Sequence, residues 1–302
     1  MAARVDREVV MAEAGSRLGS TVRSRALGAE LREARKRSGL KHSDLPDLLG
    51  ITFAWLSKLE LGFRRTSAHN IARLLGAYRV DSETYERVMG LYRDREDGVL
   101  ICEHGPGEAD GLPVLLGHEA AAREIFSYGV ISIPVLAQAQ GHMRALFGRD
   151  GRTSSVEVER LVTVRGGRQV ILDRPTPSRY TFVVHEWTLR HLGGGPRVVW
   201  EQLMHLFWLA NTGKVSVRVI GLNSKAGWWE GTAFTLMTSP GFRPVVHVET
   251  PAYSVFLDDP REANGYRESA RLLLENAMSA EESRTLIGYL AGQVREPTEA
   301  GT

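Results

Sequence analysis

Glycines at positions 39, 50 and 62 cut LKHSDLPDLLGITFAWLSKLELG, residues 40–62, into two pieces, each too short for more than about three helical turns. Both pieces carry start signals. Ser43 can serve as N-cap with Asp44 in the first turn, and Thr52 can cap the second piece. Pro46 is tolerable because it falls in a first turn, where its missing N–H loses no helical bond. The caps and glycine stops predict two short helices joined by two or three residues around Gly50.

The flanks extend the pattern. In RALGAELREARKRSGL, Leu27, Leu31 and Ala34 fall on one face, with Arg32, Arg35, Lys36 and Arg37 elsewhere on the cylinder. HNIARLLGAYR spaces Ile71, Leu74 and Leu75 to bury, and a further helix starts after Asp81 with Tyr85, Val88, Met89 and Tyr92. Five short helices in about seventy residues, the second and third nearly abutting, have helix-turn-helix spacing. Residues 1–22 read as a flexible arm and 23–95 as an all-α, five-helix DNA-binding domain. Residues 96–115, with EHGPGEADGLP, read as a linker.

Beyond the linker the period changes. Helices are expected at 117–128, 138–147, 155–172 and 197–212. YTFVVHE, KVSVRVIGL, TAFTLMTS, RPVVHVET and YSVFLDD are β-branched and aromatic runs that read as strands. KVSVRVI alternates cleanly at Val215, Val217 and Val219. Two helices close the chain, the last announced by Ser279 and Glu282 in capping-box spacing. Residues 116–302 are therefore expected to form an α+β domain with a sheet of about four or five strands.

Charge separates the same two regions. Residues 1–96 carry 18 Lys+Arg against 13 Asp+Glu, leaving 20 against 23 for the remainder of the 302 residues. The first third is near +5 and the rest near −3, an asymmetry that favours a nucleic-acid partner at the N-terminal end. No stretch approaches the ~20 apolar residues of a membrane helix, and the opening MAARVDREVVMAEAGSRLGS has no signal-peptide core, so a cytoplasmic protein, on the nucleoid when bound to DNA, is expected. Cys102, the single cysteine, excludes an internal disulfide.

On a helical wheel, Trp55, Leu56 and Leu59 share an inward arc. Phe53, Ala54, Ser57, Lys58 and Leu61 share the arc that would meet a major groove. Lys58 can reach a guanine edge or a phosphate, Ser57 can donate or accept, and Phe53 and Ala54 can pack on thymine methyls. Thr52 joins this set at the helix start. His42 and Ser43 precede the previous helix, where free N–H groups attract phosphate, and Arg64 and Arg65 follow the reading helix. Each has a plainer reading: Ser43 as a cap only, the arginines as solvated charge. Glu60, between the arcs, is expected to pair with a first-helix arginine such as Arg35, and Trp55 to be core.

LGAELREARKRSGLKHSDLPDLLGITFAWLSKLELGFRRTSAHNIARLLGAYRV resembles the helix-turn-helix of XRE (Cro/C1-type) regulators in its LR..R...GL opening and in LSKLELG, over about residues 26–95. Pro46, Phe53 and Thr66 depart from that pattern. RQVILDR, VVHEWTLRHLGGGPRVVWEQLMHLFWLAN, VSVRVIGL, GTAFTLMTSPGFRPVVHVET and MSAEESRTLI resemble the domain of unknown function that follows such a helix-turn-helix in actinobacterial WhiJ-like and antitoxin-like regulators. ISIPVLAQAQGHMRALF is a divergent match to the same domain, over a resemblance spanning about 116–290. It implies transcription regulation and a small protein partner encoded nearby. Two copies would place their reading helices in successive major grooves, so a homodimer on a roughly palindromic site is expected.

The enzyme readings are weak. His185 and His191 in HEWTLRH are six apart and do not share a helix face as zinc ligands would; Cys102 and His104 have no second pair. No nucleophile elbow, phosphate-binding loop or dinucleotide fingerprint occurs, and GGRQ and HLGGGP lack the strand–glycine–helix context. No metal, cofactor or catalysis is expected. Trp228 and Trp229 in KAGWWEGTAF are either core and loop cover or the lining of a site for a small-molecule effector or partner.

Overall fold

The computed structural model describes residues 20–93, 98–104, 111–149, 151–174, 178–224 and 231–294. The chain divides into two compact units, Met1–His118 with Thr238–Ala263, and Glu119–Met237 with Asn264–Thr302.

In the first unit five helices are set by local signals. α1 (Val22–Arg37) opens on a capping box between Thr21 and Ser24 and ends in Arg35, Lys36 and Arg37, cations that complement the C-terminal dipole. α2 (Leu45–Leu49) carries its proline at the start and stops at Gly50, whose φ of 65° is left-handed. α3 (Phe53–Glu60) is capped by the Thr52 side chain, which accepts from the Trp55 N–H. α4 (Ala68–Tyr78) is capped by Ser67, and α5 (Ser82–Arg93) follows Asp81, whose carboxylate accepts from the Thr84 N–H. Leu31, Leu45, Leu56, Leu59, Ile71, Leu74, Leu75 and Val88 form one core from all five. The expected arm gives way to order at Ser20 and Thr21, which are buried; residues 1–19 lie outside the described residues.

The segment expected to be a linker holds a strand. β1 (Val99–Glu103) pairs antiparallel with β7 (Tyr253–Leu257), which pairs antiparallel with β6 (Val245–Glu249). α1 is fastened to this ribbon. The Val22 N–H donates to the Asp258 carboxylate at 2.6 Å, Arg25 approaches the same carboxylate at 3.4 Å, and Arg23 donates to the Val99 carbonyl at 3.1 Å. Asp258 is fully buried, so its charge meets a helix N-terminus and a guanidinium instead of water. Burial lowers Arg25 to about 10 against the pull of Asp258, with Arg243 adding to the fall. Phe63 stacks on Phe242 at 5.2 Å, and the Arg25 guanidinium lies over Phe242 at 5.3 Å.

α6 (Leu112–Ala121) precedes β2 (Glu124–Gly129). The expected helix over 117–128 is therefore half helix, half strand. β2 is buried at five successive positions and shows no alternation, which hides it in the sequence.

In the second unit β2, β3 (Arg179–His185) and β4 (Val215–Ile220) run parallel, Glu124 opposite Arg179 and Tyr180 opposite Val215. The connections are α7 (Gln140–Gly148) with α8 (Ser155–Arg168), then α9 (Glu186–Arg190) with α10 (Pro196–Leu209). These are two successive βαβ crossovers. β5 (Phe234–Thr238) lies beside β2, where the Ser127 and Thr235 hydroxyls bond at 2.9 Å. Val215, Val217 and Val219 are buried, as their alternation predicts. α11 (Pro260–Asn276) and α12 (Ala280–Gln293) end the chain, and the Ser279–Glu282 capping box is present. The helical N-terminus and α+β remainder stand as expected. The strands number seven among the described residues, β1 and β2 being those the sequence hides.

Candidate nucleic-acid interface

α3 is placed by close approach to α1. A Cβ on Gly28 would lie 2.6 Å from the Leu59 and Glu60 carbonyl oxygens, and one on Gly62 would lie 2.7 Å from the Arg25 backbone nitrogen. Only glycine permits this spacing. Leu56 and Leu59 are buried, which turns the opposite arc outward. Trp55 is half-buried at the edge of the core, under the Arg64 guanidinium at 5.9 Å.

A buried ion pair locks the end of α3. Arg35 donates to both Glu60 oxygens, at 2.7 and 3.1 Å, and the Glu60 bond holds Arg35 above the usual arginine range. The pairing expected from the helical wheel is thus present. Glu60 also accepts from His42 Nε2 at 2.9 Å, which the sequence did not reveal. A buried carboxylate with two acceptor oxygens needs more than one partner, and that need was the available signal. His42 also meets the Phe53 ring edge-on at 5.0 Å, so His42 and Phe53 share one surface.

Phe53 (58% exposed), Ala54, Lys58 and Leu61 (46%) are exposed on the outer arc, with Thr52 at its head and Ser57 half-buried. Arg64 and Arg65 are exposed beyond it. One local expectation is corrected. Ser43 does not cap α2; the helix begins after Asp44, whose own backbone is already helical, and no side chain caps it. The Ser43 hydroxyl donates to Asp44 at 3.1 Å. The Lys41 N–H, then Ser43, hold the Asp44 carboxyl below its usual range. Arg73 of α4, also missed, donates to the Leu49 carbonyl at 2.8 Å and adds a cation beside the turn.

The other candidates have ordinary partners. His185 Nε2 bonds the Tyr128 hydroxyl at 2.6 Å; burial lowers the histidine and pushes the phenol up to about 12. His191 stacks on Trp187, and His104 bonds Ser254. Trp228 and Trp229 lie outside the described residues. Among the described residues no helix is long and apolar enough to cross a membrane.

Two short helices joined by a left-handed glycine, the second with its outer arc open, define a helix-turn-helix protein, and residues 26–88 match the model described as a helix-turn-helix domain. That domain supports a DNA-binding regulator. The chain belongs to the family of the domain of unknown function DUF5753, whose model matches residues 112–288. No curated protein matches it. TrmBL2, an archaeal chromatin protein whose structure is described as showing a novel mode of DNA binding, aligns over 80% of this chain and 88% of its own at 11% identity. The TM-score of 0.31 is too low to indicate a common fold.

Proposed function

We propose that the protein is a sequence-specific transcription regulator that binds double-stranded DNA as a homodimer and is controlled by a small protein partner. The residues of 23–95 meet DNA, while 116–302 supply dimerisation and the partner contact. The observation that carries this reading is the division of α3: Leu56 and Leu59 anchor one side, and Phe53, Ala54 and Lys58 stand exposed on the other.

Phe53 and Ala54 pack on thymine methyls, Thr52 and Ser57 offer hydroxyls, and Lys58 reaches a guanine edge or phosphate. Arg64, Arg65, His42 and Ser43 flank the helix toward the phosphates. With Nε2 committed to Glu60, His42 has only Nδ1 to offer. So few polar readers leave sequence choice to methyl contacts and DNA shape. The resemblance to XRE and to actinobacterial WhiJ-like and antitoxin-like regulators supports the partner and a cytoplasmic, nucleoid-associated location.

Binding to DNA from the protein's own upstream region, followed by gel shift and nuclease footprinting, tests the proposal. Two half-sites about 34 Å apart, one helical turn, are expected to be protected together. Protection of a single half-site by a monomer contradicts the homodimer.

A further inference from the structure

The second unit carries a surface groove of ≈ 940 Å³ along the first half of α12. Met278, Leu286 and Tyr289 supply its apolar lining, and Glu281 and Glu282 stand on it; no basic residue lines it among the described residues. Tyr289 is 58% exposed. Beside the groove, Met278 Cε lies 3.1 Å from the β-position of Gly221, and the following residue, Leu222, is exposed. Leu222 donates its N–H to Glu186, and the next residue, Trp187, is exposed and stacked on His191 at 4.3 Å. Tyrosine, tryptophan and methionine on an exposed surface are the residue types that anchor protein interfaces.

We infer that this groove is the docking site for the protein partner, and that the partner presents a short amphipathic segment with apolar anchors flanked by lysine or arginine. The inference rests on the partner-controlled reading above. The carboxylates decide among occupants. They repel DNA phosphates, and a twofold contact between two copies over this face sets carboxylates against carboxylates with no basic lining residue to offset them among the described residues. A basic segment meets them with opposite charge. Glu282 is fixed in place by the Ser279 N–H, which donates to its carboxylate at 2.8 Å; that bond, then the Ser279 hydroxyl and the charge of Arg218, hold the carboxyl below the usual range. Glu281 lies outside the capping box and is the residue to vary.

The test uses the full-length protein and two labelled synthetic peptides of about 16 residues, followed by fluorescence anisotropy. One has leucine and phenylalanine at helical spacing with lysine elsewhere; its twin has glutamate at every lysine. The basic peptide is expected to bind about tenfold or more tightly than the twin, and Glu281→Lys or Tyr289→Ser to weaken it about tenfold. Glu275→Lys, a carboxylate of α11 outside the groove lining, is the control and leaves binding unchanged. Equal binding of the two peptides, no binding of the basic one, or an equal loss in Glu275→Lys overturns the proposal. Gel shifts on the same samples separate the two levels. DNA binding without selective peptide binding removes the groove and leaves the regulator reading; absent DNA binding removes the regulator reading itself.

Discussion

Glu60 holds the C-terminal end of α3 with both oxygens engaged, by Arg35 and by His42. Removing it by Glu60→Ala leaves a buried guanidinium without its charge partner, which costs about 3–5 kcal/mol in urea unfolding. A loss below about 1 kcal/mol would show that the pair does not support the helix. A second residue contributes to acid sensitivity, as do His142, His185 and His205, which burial also lowers. Burial, with Arg25 and His247 adding to it, depresses His118 from 6.5 to about 3. The unfolded chain takes up that proton near 6.5 and the folded chain does not. The His118 contribution to stability is therefore complete above 6.5 and falls as pH drops toward 3, by up to about 1.4 kcal/mol per unit. His118→Gln is expected to flatten that slope in unfolding measured across the range; an unchanged slope contradicts the assignment.

At the scale of elements, two contacts fix α1, and through it α3. Gly28 lets the end of α3 approach, and Gly28→Ala, with its methyl 2.6 Å from two carbonyl oxygens, is expected to cost about 1–3 kcal/mol. Asp258 receives the α1 N-terminus, and Asp258→Ala is expected to cost about 3 kcal/mol by leaving Arg25 and the Val22 N–H without it. Denaturant titration with tryptophan fluorescence checks both. The helices themselves were legible, because Thr52, Ser67, Gly50 and Gly62 punctuate them locally. β1 and β2 were not. Five residues in a Gly- and Pro-rich setting and a strand buried without alternation give no period to read. Asp258 was equally hidden, since its partners lie 236 and 233 positions away.

For the whole molecule, the charge asymmetry and the outer arc of α3 point the same way, toward DNA at the N-terminal end. The arc could be read from periodicity alone because Leu56 and Leu59 fix its opposite. The inward turn of His42 could not, because it depends on a carboxylate in another helix. Lys58, Arg64 and Arg65 are exposed cations on α3 or just past its end. Removing a cation that meets a phosphate weakens binding across all sequences and lowers its salt dependence by about one unit of slope. The direct measurement is therefore the affinity of wild type and of Lys58→Ala with Arg64→Ala for the upstream DNA, over a series of salt concentrations. Steep salt dependence is expected in wild type, and in the double variant weaker binding with a slope shallower by about two. Salt-insensitive or absent binding by wild type, or full binding by the double variant, would contradict it.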